Sequence, residues 1–289
     1  MHLPPTPTDA AMLHLPPIPA DANKYSRGSL LILAGSARFP GAAVLCAQAA
    51  ARTGAGYVTL AVPASVAPAA QTHLLSIPLI AATEGSGAFA PEALTDILRT
   101  VTHIDAIVCG PGLTDAPDAL AFAAQVARTV SVPLLLDADA LRVAGSRTTH
   151  QASSAGLLAD DGAAPLILTP HAGELRRLLA ATGATDAADL AQRIDAVVVA
   201  KGPQTLIVSP ERSQLFTSGT PALAKAGTGD VLSGIIGALL AQGMEPFEAA
   251  CTGVELHGRA GHSAAERLGI RSVMAEDLIV SLAEVLRFL

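Results

Sequence analysis

The stretch Ala226-Gly227-Thr228-Gly229-Asp230-Val231-Leu232 opens the long apolar run from Val231 to Met244 and carries the strongest local signal in the chain. Its two glycines allow a tight backbone and close approach by a ligand. The amides that begin the following helix lack intrahelical partners, so with the helix dipole they form an anion hole. Asp230 lies in that same turn. An ionised carboxylate there would repel a phosphate unless it faced away, which suits a base directed at a hydroxyl while amides hold the phosphate. The plainer alternative, a first-turn carboxylate favoured by the dipole alone, leaves the glycine spacing without a reason.

Upstream of this turn, short apolar runs alternate with helical stretches. Leu30–Ala34, Tyr57–Ala61 (ended by Pro63), Ile104–Val108, Pro133–Leu136, Leu166–Leu168, Ala196–Ala200 and Thr205–Val208 read as strands. Gly41–Thr53, Pro117–Arg128 and nearly all of Gly229–Leu289 read as helix. Strands without polar alternation are buried on both faces, which predicts a mostly parallel sheet between two helical layers. The expected fold is thus a three-layer α/β/α sandwich. The prolines at positions 4, 5, 7, 16, 17 and 19 predict an extended leader over residues 1–23. With no linker further on, residues 24–289 read as a single domain.

Composition narrows the function classes. With 18 Lys+Arg against 25 Asp+Glu the net charge is −7, which argues against a nucleic-acid surface. Hydrophobic residues make up 51% and charged residues 15%, too apolar for disorder and consistent with a thick core or subunit contacts. Cys46, Cys109 and Cys251 match no metal or redox spacing and read as free thiols of a reducing compartment. No run approaches the roughly 20 apolar residues of a membrane span. The N-terminus lacks a basic region and is broken by prolines, unlike a signal peptide. The expected setting is cytoplasmic.

In parallel α/β sheets ligands bind beyond the carboxyl ends of the strands. Four groups of residues stand there: Gly35-Ser36 with Gly41-Ala42, Gly110-Pro111-Gly112, Thr169-Pro170-His171-Ala172-Gly173-Glu174, and Lys201-Gly202-Pro203-Gln204-Thr205. Taken singly, each also fits a turn or a helix cap; their shared placement points to a site. The dinucleotide fingerprint is excluded because Leu232 stands where its third glycine belongs, and the Walker pattern because no Gly-Lys pair occurs.

The Gly-Thr-Gly-Asp turn resembles the anion hole and catalytic aspartate of the ribokinase-like fold. The wider set is similar to the nucleotide-dependent NAD(P)H-hydrate dehydratases: Lys24 with Gly28, Gly41-Ala42, Gly110-Pro111-Gly112-Leu113, Asp137-Ala138-Asp139-Ala140-Leu141, Thr169 to Glu174, Lys201 to Thr205, and Ala222-Leu223-Ala224-Lys225. The resemblance runs from about Lys24 to the C-terminus. It implies conversion of (6S)-NADHX or (6S)-NADPHX to NADH or NADPH, with ADP (or ATP) as phosphoryl donor and Mg²⁺ on its phosphates. Nothing in the chain is similar to the epimerase sometimes fused ahead of this module, so a separate NAD(P)HX epimerase is the expected companion. The family also implies a homo-oligomer, tetramer or larger.

The same resemblance implies residue roles. Asp230 would be the base, and the amides of Gly227, Thr228 and Gly229 the anion hole. Ala42, Gly112, His171 and Asp230 match the hydrate contacts; Lys201, Gly202, Pro203, Gln204, Thr205 and Gly229 match the nucleotide contacts. Glu174 lies where related kinases place an acid acting on Mg²⁺ through water. Thr220-Pro221 replaces the expected Gly-Asn pair, and Ala226 stands where many members have Gly. The alternatives are a small-molecule kinase of the same fold acting on a vitamin-precursor alcohol, and a nucleotide-binding protein without turnover. His171 favours the dehydratase over the kinase, and Asp230 favours an enzyme over a binder.

Overall fold

All four leucine and isoleucine side chains of the first long strand are buried, Leu30 and Ile32 against one helical layer, Leu31 and Leu33 against the other. The same division recurs along the sheet: Val108, Leu135, Ile167 and Val199 face the first layer, Ile107, Leu136, Leu168 and Val198 the second. Period-two alternation of two apolar faces is what a doubly covered sheet requires.

The computed structural model describes residues 6–7, 13, 15–148 and 164–289. The elements are β1 (Thr6–Pro7), β2 (Ser29–Leu33), α1 (Pro40–Thr53), β3 (Tyr57–Pro63), α2 (Ala67–Gln71), β4 (Leu79–Ala82), β5 (Glu84–Gly85), β6 (Ala88–Phe89), α3 (Ala93–Thr100), β7 (Ala106–Cys109), α4 (Pro117–Thr129) and β8 (Leu134–Leu136). A 3-10 stretch, Ala138–Thr148, follows. Then come β9 (Leu166–Leu168), α5 (Ala172–Thr182), α6 (Ala187–Ile194), β10 (Val197–Ala200), β11 (Thr205–Val208), β12 (Ser213–Phe216), α7 (Thr228–Ala241), α8 (Pro246–Leu268) and α9 (Ala275–Leu286).

The main sheet has the order β1-β12-β11-β10-β9-β8-β7-β2-β3-β4, parallel from β10 to β4. One face carries α1, α7, α8 and α9 and the other α3, α4, α5 and α6. The three expected layers are present. Three details differ from the sequence reading. Thr205–Val208 runs antiparallel to β10, because the four residues Lys201–Gln204 permit a hairpin but no crossover. Pro63 ends β3 from within, opposite Ala82 of β4 near the sheet edge, where a missing N–H is tolerated. Leu79–Ala82 and Ser213–Phe216 are further strands: the first is apolar but partly exposed at the sheet edge, and the second opens with Ser213-Gln214 and lacks a continuous apolar signal. Within the Pro-rich leader, Thr6–Pro7 pairs with Gln214–Leu215, residues 15–23 are also described, and residues 1–5, 8–12 and 14 lie outside the described residues.

Candidate active site

Two helices bring their N-termini to one end of the sheet. The α1 and α7 helices run side by side with the same polarity: Leu45 lies against Gly227, Cys46 against Gly234, and Thr53 accepts a hydrogen bond from Gln242 Nε2 at 3.4 Å. At Gly234 the two helices meet backbone to backbone, since a Cβ there would lie 2.2 Å from the Cys46 carbonyl oxygen; at Gly237 a Cβ would lie 2.3 Å from the Val108 side chain of β7, at Cγ2. The glycines of α7 thus seat it on the sheet with its first turn level with the strand ends. Gly227 caps the helix at φ +90°, a left-handed conformation that favours glycine. The first intrahelical bond runs from Val231 N to the Gly227 carbonyl at 3.2 Å, which places the preceding amides at the open end.

Charge at this end is organised around Asp137, directly after β8. Its Oδ1 accepts from Lys201 Nζ at 3.0 Å and Thr169 Oγ1 at 2.8 Å; its Oδ2 accepts from Ser233 Oγ at 2.8 Å. Burial alone would raise the pKa of this carboxyl, but the Lys201 charge and these hydrogen bonds hold it below the ordinary value. Asp230 behaves in the opposite way. Burial first, then the Asp137 charge, push its carboxyl up to about 7 against the partial relief given by Lys201. A carboxylate poised there can exchange a proton near neutrality. The Lys201 ammonium lies 3.4 Å from where a Cβ on Gly229 would be, so it borders the open turn of α7.

Beside this turn opens a cleft of about 680 Å³, lined by Lys201, Gly202, Pro203, Thr205, Thr228 and Gly229, with Phe216, Leu232 and Val254 as apolar wall. Two lysines line it and no carboxylate does, a lining suited to an anion with an apolar body. The second lysine, Lys225, is held by the Arg271 carbonyl at 2.7 Å. The Thr228 hydroxyl donates to the Leu223 and Lys225 carbonyls, at 2.8 and 2.9 Å, and pins the loop that forms the rim. Of the expected nucleotide contacts, Gln204 alone does not line the cleft.

His171 also lines the cleft, as the N-cap of α5. Its Nδ1 accepts from the amides of Gly173 (2.9 Å) and Glu174 (3.4 Å), so Nε2 carries the proton and is its single donor. Glu174 completes the capping box: Oε2 accepts from the His171 amide at 2.8 Å, and Oε1 lies 3.4 Å from Nε2. Ala42 and Gly112 lie apart from the cleft, close to one another. Gly112 adopts φ +67°, and a Cβ there would approach Ala42 Cβ to 2.8 Å. They pack together at the start of α1, where a Cβ on Gly112 would also lie 2.7 Å from the Phe39 carbonyl oxygen. Among the described residues no group of three His, Cys, Asp or Glu side chains could hold a metal ion.

A family model described as NAD(P)H-hydrate dehydratase matches residues 30–284. The chain belongs to that family. Over 270 residues it is 42% identical to the bifunctional NAD(P)H-hydrate repair enzyme of Salinibacter ruber, covering 89% of this chain and 48% of that protein. The chain thus spans about half the length of such bifunctional relatives. It is 32% identical to the ADP-dependent (S)-NAD(P)H-hydrate dehydratase of Xanthomonas campestris, covering 94% of this chain and 93% of the relative. The crystal structure of the ADP/ATP-dependent NAD(P)H-hydrate dehydratase of Bacillus subtilis, co-crystallised with ATP/Mg²⁺, superposes with TM-score 0.77 at 28% identity, covering 95% and 94% of the two chains. The fold is the ribokinase-like one.

Within this dehydratase-family site, sequence reasoning passed over Asp137 as a site residue, although it follows the apolar run Leu134–Leu136 as the other candidates follow theirs. It also passed over His257, in the middle of α8, for which no local signal exists. His257 is buried, lines the cleft, and Nε2 donates to the Thr228 carbonyl at 2.9 Å.

Proposed function

We propose that this chain is a nucleotide-dependent NAD(P)H-hydrate dehydratase that takes (6S)-NADHX or (6S)-NADPHX with ADP and yields NADH or NADPH, AMP and phosphate. The observation that carries the proposal is the pairing of an acid-free cleft, ending at Lys201 and the open turn of α7, with a carboxyl beside that turn held at about 7. In this reading the nucleotide lies along Lys201–Thr205, and the amides of Gly227, Thr228 and Gly229 receive the phosphoryl group being transferred. The hydrate reaches Asp230 from the side of Ala42 and Gly112, and the Nε2 donor of His171 meets it from the edge of the nucleotide cleft. Asp230 takes the proton of the ring hydroxyl, whose oxygen attacks the terminal phosphorus of ADP as AMP departs. The new ester loses phosphate with the C–O electron pair. A proton leaves the neighbouring ring carbon, which restores the double bond. Positioning and charge neutralisation supply most of the acceleration in phosphoryl transfer.

Among the described residues no carboxylate cluster could hold a metal by itself, so a magnesium ion would come with the nucleotide phosphates, and Glu174 is the residue that would act on it through water. When bound, the ion neutralises charge on the phosphates. We further propose a homo-oligomer, tetramer or larger, working in the cytoplasm. Exposed Ile270, Met274 and Val280 at and before α9 support subunit contacts, the three cysteines are free, and no helix among the described residues is long and apolar enough to cross a membrane. Light scattering on the purified protein measures the assembly.

The decisive assay mixes the protein with Mg²⁺ and prepared NADHX, adds ADP or ATP in parallel, and follows the near-ultraviolet absorbance of reduced nicotinamide. A rise that requires nucleotide establishes the reaction and names the donor. A flat trace from folded protein that still binds nucleotide sinks it, and thiazole and pyrimidine alcohols then become the substrates to test.

A further inference from the structure

Lys201 stands near two carboxylates, Asp137 and Asp230, and is paired with only one. Its ammonium is 3.0 Å from Asp137 Oδ1, whereas among the described residues Asp230 has no ion pair within 4.0 Å and no side-chain hydrogen bond. The arrangement is over-determined. Thr169 and Ser233 also donate to Asp137, one to each carboxylate oxygen, and Ser233 lies one turn along α7 from Asp230, on the same helix face. The backbone at both ends is fixed as well. Lys201 N donates to the Pro170 carbonyl at 2.8 Å, and Gly110 packs so close to the Asp137 carbonyl that a Cβ would lie 1.9 Å from its oxygen.

We infer that Asp137 is a positioning residue: by gripping the Lys201 ammonium it keeps that cation off Asp230, so the base stays unpaired and free to accept a proton. The inference rests on reading Asp230 as the base. Without Asp137, the carboxylate left to the half-buried Lys201 ammonium is Asp230, and pairing with it would leave a carboxylate with little proton affinity. The pair also explains a site that is attractive to phosphate yet holds a proton acceptor. One carboxylate is spent on orienting the cation, and the other is reserved. The charged and titratable groups that bear on Asp230 are Asp137 after β8, Lys201 after β10 and Cys46 of α1; His257 of α8 bears on Lys201.

The test is a titration of the Asp230 side-chain carbon in protein labelled with ¹³C-aspartate, its signal identified by its loss in D230N. In D137N the midpoint is expected to fall clearly below that of the parent. In D137N/K201M, with no cation to capture, it should return toward the parent. T169V and S233A leave every charge in place and only loosen the carboxylate, so each should move the midpoint the same way by less; they carry the test if D137N does not fold. Turnover adds a second readout. D137N should lower kcat by on the order of 100-fold, the scale of a misplaced catalytic group, a larger loss than that in ADP affinity, which falls only as far as the Lys201 ammonium leaves the nucleotide cleft, and D137N/K201M should be no slower than K201M. An unmoved midpoint in D137N, or in T169V and S233A, overturns the inference. So does a parallel loss of kcat and ADP affinity, which marks a merely structural residue. The titration needs no substrate: a moved midpoint with no conversion of NADHX removes the proposed function and leaves the positioning role.

Discussion

His257 Nε2 and the carbonyl oxygen of Thr228, 2.9 Å apart, tie the middle of α8 to the first turn of α7. The imidazole is therefore a neutral donor directly behind the anion hole. Burial, with a contribution from the Lys201 charge and against the pull of this hydrogen bond, lowers its pKa to about 4. The unfolded value is about 6.5. Between these values the unfolded chain binds a proton that the folded chain refuses, so the stability His257 contributes is fully present above about 6.5 and is lost as pH falls through about 4. Denaturant unfolding at neutral and mildly acid pH should show that H257Q, which keeps an N–H for Thr228, loses less stability on acidification than the parent. The expected difference is on the order of 3 kcal/mol. Superimposable curves would contradict a buried neutral histidine.

Asp230 has the opposite sign. Its folded pKa of about 7 lies above the unfolded value near 4, so its contribution to stability is fully present below about 4 and is lost as pH rises through about 7. Asp230→Asn should therefore melt higher than the parent above neutrality, by a few kcal/mol at most given its partial exposure, and equally at acid pH. The same variant should lower kcat by about 10²–10⁴-fold with nucleotide affinity nearly intact. In the parent, kcat/KM should climb with pH through about 7. A variant that is both slower and less stable at alkaline pH would mean that the carboxyl is structural.

Close packing of α7 predicts a different failure. A methyl on Gly234 would overlap the Cys46 carbonyl, which belongs to a helix backbone and cannot swing aside. G234A should lose about 1–3 kcal/mol through forced separation of α1 and α7. Because that shift moves the first turn of α7 against the start of α1, kcat should fall even in the folded fraction. Thermal melting and turnover measured on one preparation separate the two losses.

How much of this was legible depended on whether the signal was local. The Gly227–Asp230 turn, the Lys201–Thr205 turn and the buried strands announce themselves over a few residues. The reversal at β11 was also written locally, in a connection too short to cross over, and the apolar run Thr205–Val208 hid it. Asp137 followed a strand like its neighbours, but its partners Thr169, Lys201 and Ser233 come from three distant segments. His171 illustrates the reverse: the residue was singled out, yet whether Nδ1 donates or caps depends on the turn it begins. His257 needed the packing of α8 on α7 before any role could be seen.

Ser218 lines the cleft with its hydroxyl oxygen buried and unpartnered among the described residues. Its place depends on Gly258 of α8, where a Cβ would approach that oxygen to 2.8 Å. A buried hydroxyl without a partner costs the free protein roughly 1–3 kcal/mol, and a ligand atom that pairs with it relieves that cost. Ser218→Ala should therefore have opposite effects in the two states. The free protein should be unchanged or slightly more stable by thermal melting, and ADP binding measured by calorimetry should weaken by roughly 0.5–1.5 kcal/mol, the net worth of one hydrogen bond. A variant that binds ADP as tightly as the parent would show that the nucleotide leaves this hydroxyl alone, and would place the base farther along the wall formed by Phe216 and Val254.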